Sequence, residues 1–259
     1  MKLRMQSNME QTARTAISNI IVQKASDVLA SRLRELILSG ELKPGDALPN
    51  ERELVAQSGL GRSSVREALR VLSAEGLINT RGGRGGGSMV TLPDRDSIRR
   101  PVELFIQTNE VSFESLLDCR AAVEPTLARL AAINRTDEEA EHLQALQEQF
   151  ASKVNDLEAY RRINLEWHLA VARASNNPPL IALMEAISSP ILASSRPSYS
   201  TTEKVRRETV KIHGRIQAAI MQQDGDEAFR LMAQHVGAFQ QLAKERSLAS
   251  EQQAASATG

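Results

Sequence analysis

The chain is poor in several features that would assign it to common protein classes. Cys119 is its only cysteine, so no disulfide framework can form within one chain. No apolar run approaches the length of about 18 residues needed to cross a bilayer. Residues 1–23 contain early basic residues but lack the continuous apolar core and small-residue cleavage site of a secretory signal. Strand-like alternation is scarce, only four histidines are present, and the formal net charge is zero. A stapled secreted module and a membrane protein are excluded, and a cytoplasmic protein with a flexible leader at 1–23 is expected.

The 259 residues with 41% hydrophobic content suffice for two modest domains. The neutral total hides an asymmetry. Residues 1–100 hold 16 Lys and Arg against 11 Asp and Glu, leaving 16 against 21 in the remainder. The basic half suits a polyanionic partner, the acidic half does not.

Within the basic half, Val65, Ala68, Leu69 and Leu72 recur at i, i+3, i+4 and i+7 and make one apolar stripe on a helix. The opposite face carries Arg62, Ser63, Arg66 and Arg70. Arg62 and Arg66 lie one turn apart near the N-terminus, where a recognition helix meets bases and phosphates. A helix before it starts at Asn50, which can cap the backbone while Glu53 reaches back in a capping box. Ser58-Gly59-Leu60-Gly61 is the short glycine-bearing turn that two crossed helices require. The two segments form a helix–turn–helix.

Residues 77–80 and 88–91 read as a strand and its return around Arg81-Gly82-Gly83-Arg84-Gly85-Gly86-Gly87. Such a loop can be a wing, whose glycines let backbone approach DNA and whose arginines neutralise phosphates. A plain glycine loop joining two strands is the other open reading. A nucleotide-binding loop is disfavoured, because the Gly-Lys-Ser/Thr ending and a following helix are missing.

On these residues, segment 25–90 resembles the winged helix of the GntR family of bacterial regulators. The quoted pattern comprises Pro49 before Glu51-Arg52-Glu53-Leu54, then Arg62, two serines, Val65-Arg66-Glu67-Ala68-Leu69, and a Gly76-Leu77 strand. The resemblance implies that Arg52, Arg62, Ser63, Ser64 and Arg66 contact a double-stranded operator. It also places Gly82, Gly83 and Arg84 at the wing, although the glycine run is longer than the family's.

A linker is expected at 92–99, where Pro93 and charged small residues interrupt the apolar pattern. Beyond it the chain reads helical, with spans near 98–107, 113–133, 137–153, 157–174, 178–188, 202–222 and 226–246. The tail 247–259, rich in Ala, Ser and Gln, is expected to be disordered. The expected architecture is mainly α: a winged helix–turn–helix at 24–91 (three helices and a small β-hairpin), then an all-α bundle at 100–246.

In the bundle, Asn164 and His168 are i and i+4 on one helix face. His213 lies eleven residues before Asp224 and His235 eleven after it. In an antiparallel hairpin turning at Asp224 they share one height, about 16 Å from the turn at 1.5 Å per residue. Three imidazoles and a side-chain oxygen could hold zinc, nickel or manganese. Histidines merely satisfied or solvated are the alternative, and His142, in a highly charged helix, is read as solvated. Phe105, Tyr160 and Trp167 are read as core.

This part is similar to the ligand-sensing FCD domain of the FadR-type branch of the same family, over about residues 100–245. The supporting phrases are Glu166-Trp167-His168-Leu169-Ala170 and Ala174-Ser175-Asn176-Asn177-Pro178. The resemblance implies a metal held by Asn164, His168, His213 and His235, with Asn164 replacing a commoner aspartate. It also implies that Arg120 faces the pocket, where a guanidinium fork would bind a small carboxylate or sugar-acid effector. An Arg120–Glu124 ion pair at i, i+4 is the competing reading.

The expected function is a homodimeric, ligand-responsive repressor, because one recognition helix reads too few bases alone. A metal-dependent enzyme is the rival class. It is disfavoured because Glu166 lies about 200° round the helix from Asn164 and His168, off their face. An architectural DNA-binding protein would not need a polar pocket in an acidic helical domain.

Overall fold

A computed structural model of the chain describes residues 23–81, 86–194 and 202–257. It divides into two compact units, Met1–Asp94 and Arg95–Gly259. The expected leader lies almost wholly outside the described residues, as do Gly82, Gly83 and Arg84 at the wing.

The first unit holds α1 (Ala25–Leu38), α2 (Glu51–Ser58), α3 (Arg62–Ala74), β1 (Ile78–Thr80) and β2 (Ser88–Val90). Asn50 accepts from the Glu53 amide at 3.0 Å while the Glu53 carboxylate accepts from the Asn50 amide, closing the capping box. Gly59 ends α2 at φ +69°, a left-handed conformation that glycine adopts without a Cβ clash. The stripe on α3 is inward: Val65, Ala68 and Leu72 are fully buried with Leu69. They pack with Ala30, Leu33 and Ile37 of α1 and Leu54 of α2. β1 and β2 pair antiparallel in the register Ile78 to Val90, and Ala47 bridges Met89 from the other side. This pairing anchors the segment leading into α2 to the hairpin.

The second unit comprises α4 (Asp96–Thr108), α5 (Phe113–Asn134), α6 (Asp137–Ser152), α7 (Leu157–Ala174), α8 (Pro178–Ser194), α9 (Glu203–Met221) and α10 (Gly225–Ala257). Its main core brings Leu143 and Phe150 of α6 onto Trp167 of α7, Ile216 and Ile220 of α9 and Leu231 of α10. A second cluster joins Ile106 of α4, Leu116 and Leu127 of α5, and Met184, Ile187 and Ile191 of α8.

Several expectations need correction. The segment expected as linker at 92–99 is helical from Asp96, whose carboxylate bonds Arg99 at 2.9 Å and Arg100 at 3.0 Å. These i, i+3 and i, i+4 pairs support a first turn. Phe105, read as core, is 60% exposed, and Leu104 beside it is equally exposed. Only Ile106 of that helix is buried, because α4 turns one narrow face inward. Helix α8 continues past 188 through Pro190, since burial of Ile187 and Ile191 outweighs local propensity. Helix α10 runs to Ala257 through the expected disordered tail, whose alanines and glutamines are good helix formers.

Candidate metal centre and nucleic-acid face

His168 on α7, His213 on α9 and His235 on α10 converge at one level of the second unit. Their ligating nitrogens lie within 4.8 Å of one another. The Nε2 of His235 is 3.0 Å from that of His213 and 3.4 Å from that of His168. The helical hairpin of α9 and α10, turning at Asp224, sets the first of these distances. The side-chain oxygen of Asp224 caps α10 through the Glu227 amide at 3.0 Å.

Packing fixes the rings. His213 is sandwiched between the indole of Trp167, 4.0 Å between ring centroids, and the ring of Phe150, 5.0 Å away, both nearly parallel to it. His168 Nδ1 lies 2.6 Å from Glu124 Oε2 on α5. The other carboxylate oxygen receives the Nε of Arg120, one turn earlier on the same helix. Glu124 is 2% and Arg120 7% exposed. The chain Arg120–Glu124–His168 therefore runs from a cation through a carboxylate to an imidazole, and it orients that ring.

Burial disfavours protonation of all three histidines. His213 is held well below the ordinary histidine range by burial, then by His235, His168 and Arg120. His235 is lowered to about 3 by burial, His168 and Arg120, against an opposing pull from Glu124. His168 is also lowered, with burial outweighing Glu124. Glu124 is itself pushed towards the neutral acid by burial, but Arg120 and His168 outweigh that and keep it ionised. Three neutral imidazoles with nitrogens aimed at one point are a donor set for a cation, because a single proton cannot satisfy all three lone pairs. The nearby carboxylate adds the partner that a ligating imidazole uses at its other nitrogen. That approach of His168 Nδ1 to Glu124 is a close ion-pair contact rather than an aligned hydrogen bond, and His213 Nδ1 has neither among the described residues.

Beside the histidines is a cavity of about 670 Å³, whose wall includes Arg120, Asn164, His168 and His235. Every sequence-identified residue of this site is thus on one cavity or in contact with it. The ion pair and the pocket-facing reading of Arg120 are compatible: its Nε bonds Glu124 while the side chain still lines the cavity. The contact between Glu124 and His168 was not legible, since residues 44 apart on different helices meet only in the folded bundle. The stacking of Trp167 and Phe150 on His213 was missed for the same reason. Glu166 is engaged with Arg173 at 3.0 Å, and His142 is exposed on α6.

In the first unit, Arg52 on α2 and Arg62, Ser63 and Arg66 on α3 are exposed, and Ser64 is half-buried. Arg66 Nε pairs with Glu51 Oε2 at 2.8 Å, which brings the start of α2 against the first turns of α3. Gly61 begins α3 without a side-chain cap, leaving the first amides of the helix open to an anion.

Residues 25–86 match the bacterial regulatory proteins of the gntR family, and residues 115–238 match the FCD domain. The HTH-type transcriptional repressor NanR of an Enterobacter strain is 31% identical over 222 residues, covering 83% of each chain. The HTH-type transcriptional regulator LutR of Bacillus subtilis is 32% identical over 206 residues, covering 78% of this chain and 93% of that one. The chain belongs to the gntR family. This gntR-family protein is a transcriptional regulator with a helix–turn–helix unit and an FCD unit, not an enzyme. A solved GntR protein of Streptococcus agalactiae has the same fold, with a TM-score of 0.62 at 24% identity over 83% of this chain and 99% of its own. No helix among the described residues is long and apolar enough to cross a membrane.

Proposed function

We propose that this gntR-family protein is a cytoplasmic repressor whose FCD unit binds a divalent transition metal and, upon it, an organic or sugar-acid effector. The convergence of three neutral imidazoles, His168 and His213 buried and His235 half-buried, beside a cavity that also holds Arg120 carries this reading. His168, His213 and His235 would hold the metal through nitrogen, and Asn164 would add an oxygen. Zinc, nickel and manganese suit such a set to differing degrees. All four ligands are neutral, and the charges of Arg120 and Glu124 offset each other. The positive charge of a bound dication is therefore left for an anionic ligand to neutralise. A carboxylate meets both the metal and the Arg120 fork, which defines the effector class.

A homodimer would bind a roughly palindromic operator through Arg52, Arg62, Ser63, Ser64 and Arg66, with Gly82, Gly83 and Arg84 at the wing. The exposed Leu104 and Phe105 on α4 support a second copy as the partner of the FCD unit. Effector binding would change how the two heads are presented and release the operator.

The test is the melting temperature of metal-stripped protein titrated with zinc, nickel or manganese. A ligand that binds only the native state raises stability with its concentration over its dissociation constant. Zinc is expected to raise the melting temperature of the native chain and to leave His213→Ala unmoved. A shift of the same size in His213→Ala would refute the site.

A further inference from the structure

Two of the histidines enter the site with unequal support at their second nitrogens. The Glu124 carboxylate stands close to His168 Nδ1, whereas His213 Nδ1 is buried without a hydrogen-bond partner among the described residues. Two buried acceptors between α6 and α9 share that condition, the Oε1 atoms of Gln147 and Gln217. Neither amide can be reversed to remove the mismatch. The Glu148 carboxylate only accepts, so Gln144 gives it an N–H at 2.8 Å. The Gln144 oxygen then receives the N–H of Gln217 at 2.6 Å, which leaves the Gln217 oxygen over. The Val210 carbonyl fixes Gln147 in the same way, receiving its N–H at 2.9 Å.

Of the two oxygens, that of Gln217 is placed for His213. A residue four further along a helix is only about 40° round from the first, with the two Cβ atoms about 5–6 Å apart. Gln147 instead meets α9 at Gly214, where an added Cβ would come 3.4 Å from its Nε2, about 100° round from His213.

The choice of nitrogen matters at the other side of the ring. His213 Nε2 faces His235 Nε2 at 3.0 Å, and no more than one hydrogen fits between them. A metal takes the Nε2 lone pair and requires the hydrogen on Nδ1. An acceptor at Nδ1 selects that tautomer before the metal arrives, and a neutral amide does so without burying a further charge.

We propose that Gln217 is a positioning residue for the metal: its Oε1 accepts the Nδ1–H of His213 and keeps the Nε2 lone pair of that ring turned to the site. Its consequence for affinity rests on the metal reading above, and the tautomer itself does not.

The first measurement needs no substitution. The chain has four histidines, and long-range proton–nitrogen correlation spectra of histidine-labelled, metal-stripped protein at neutral pH show which nitrogen of each ring carries hydrogen. His213 is expected to carry it on Nδ1. Gln217→Met keeps the side-chain length and removes the acceptor. It should move the hydrogen wholly or partly to Nε2 and lower zinc affinity, read by competition with a chromophoric chelator, at least about tenfold. Gln217→Glu restores an acceptor and should return both readings towards those of the native chain, and Gln147→Met should change neither. His213 carrying its hydrogen on Nε2 in the native chain, or equal losses of zinc affinity in Gln147→Met and Gln217→Met, would overturn the assignment and leave the metal reading standing. Native protein that binds no zinc would overturn both.

Discussion

The two units place their charges in opposite ways. In the first, the buried polar side chains among the described residues are two serines, Ser26 and Ser88, and the arginines face solvent. The second buries Arg120, Glu124, His168, His213 and Gln217. A DNA-reading head must keep its cations available to phosphates and base edges, so an apolar core with charges outside is sufficient. A ligand sensor gains from holding charges out of water, where they act strongly on a bound ion and on one another. Charges that the first unit leaves in solvent are, in the second, buried against one another.

The largest test of this contrast is Glu124→Ala, which leaves Arg120 a buried cation without its partner. Breaking such a pair costs about 3–5 kcal/mol. Urea unfolding followed by fluorescence isolates the effect, because Trp167 is the only tryptophan and lies in the second unit. A loss under about 1 kcal/mol would place the pair with ordinary exposed salt bridges.

Acid separates the units next. In metal-stripped protein the three histidines of the site have folded pKa values below the ordinary 6.5, so between the two values the unfolded chain binds more protons than the native one. Stability of the second unit should therefore fall as pH drops below 6.5, by up to about 1.4 kcal/mol per pH unit for each histidine. Glu124 is lowered from 4.5, and it adds a loss in the same direction below that pH. The first unit contains no histidine and should hold its stability from pH 7 to 5. If acid unfolds the first unit in step with the second, so that the whole helical circular-dichroism signal is lost together with the Trp167 signal, the contrast is broken.

In the head, Arg62→Ala or Arg66→Ala should cost about 1–3 kcal/mol of operator discrimination and leave the fold intact, since each side chain is exposed. A gel-shift titration against operator and mismatched DNA reads this, and unchanged discrimination would remove that residue from the contact set. Arg66 must exchange Glu51 for DNA, so Glu51→Gln provides a check on how strongly that pair competes. The smallest effect expected is for Asn50→Ala, about 1 kcal/mol of stability in the first unit through loss of the α2 cap. The Trp167 transition should not move.

Legibility in the sequence followed the range of the interaction. The capping box of Asn50 and Glu53 and the buried stripe of α3 depend on neighbours within seven residues and appear in the fold as expected. The facing of His213 and His235 was accessible because the hairpin is nearly symmetric about Asp224, so counting residues gave their common height. His168 entered through its helix phrase and the family resemblance. Phe105 marks the limit of local patterning: a large aromatic residue in a helix has no local sign of which way it faces, and here it faces out. The carboxylate beside His168 shows the same limit, because the i, i+4 spacing of Arg120 and Glu124 revealed their pairing but not the imidazole above them.

By itself, then, the sequence determined the helical elements, the helix–turn–helix and its exposed arginines, and the family. Periodicity, capping and turn chemistry act over a few residues, and they persist whatever the rest of the chain does. The tertiary structure decided which polar groups leave water, that His213 lies between Trp167 and Phe150, that Glu124 joins Arg120 to His168, and that Arg120, Asn164, His168 and His235 share one cavity. These are contacts between helices distant in the chain, and burial, which sets their electrostatics, exists only once the helices have packed.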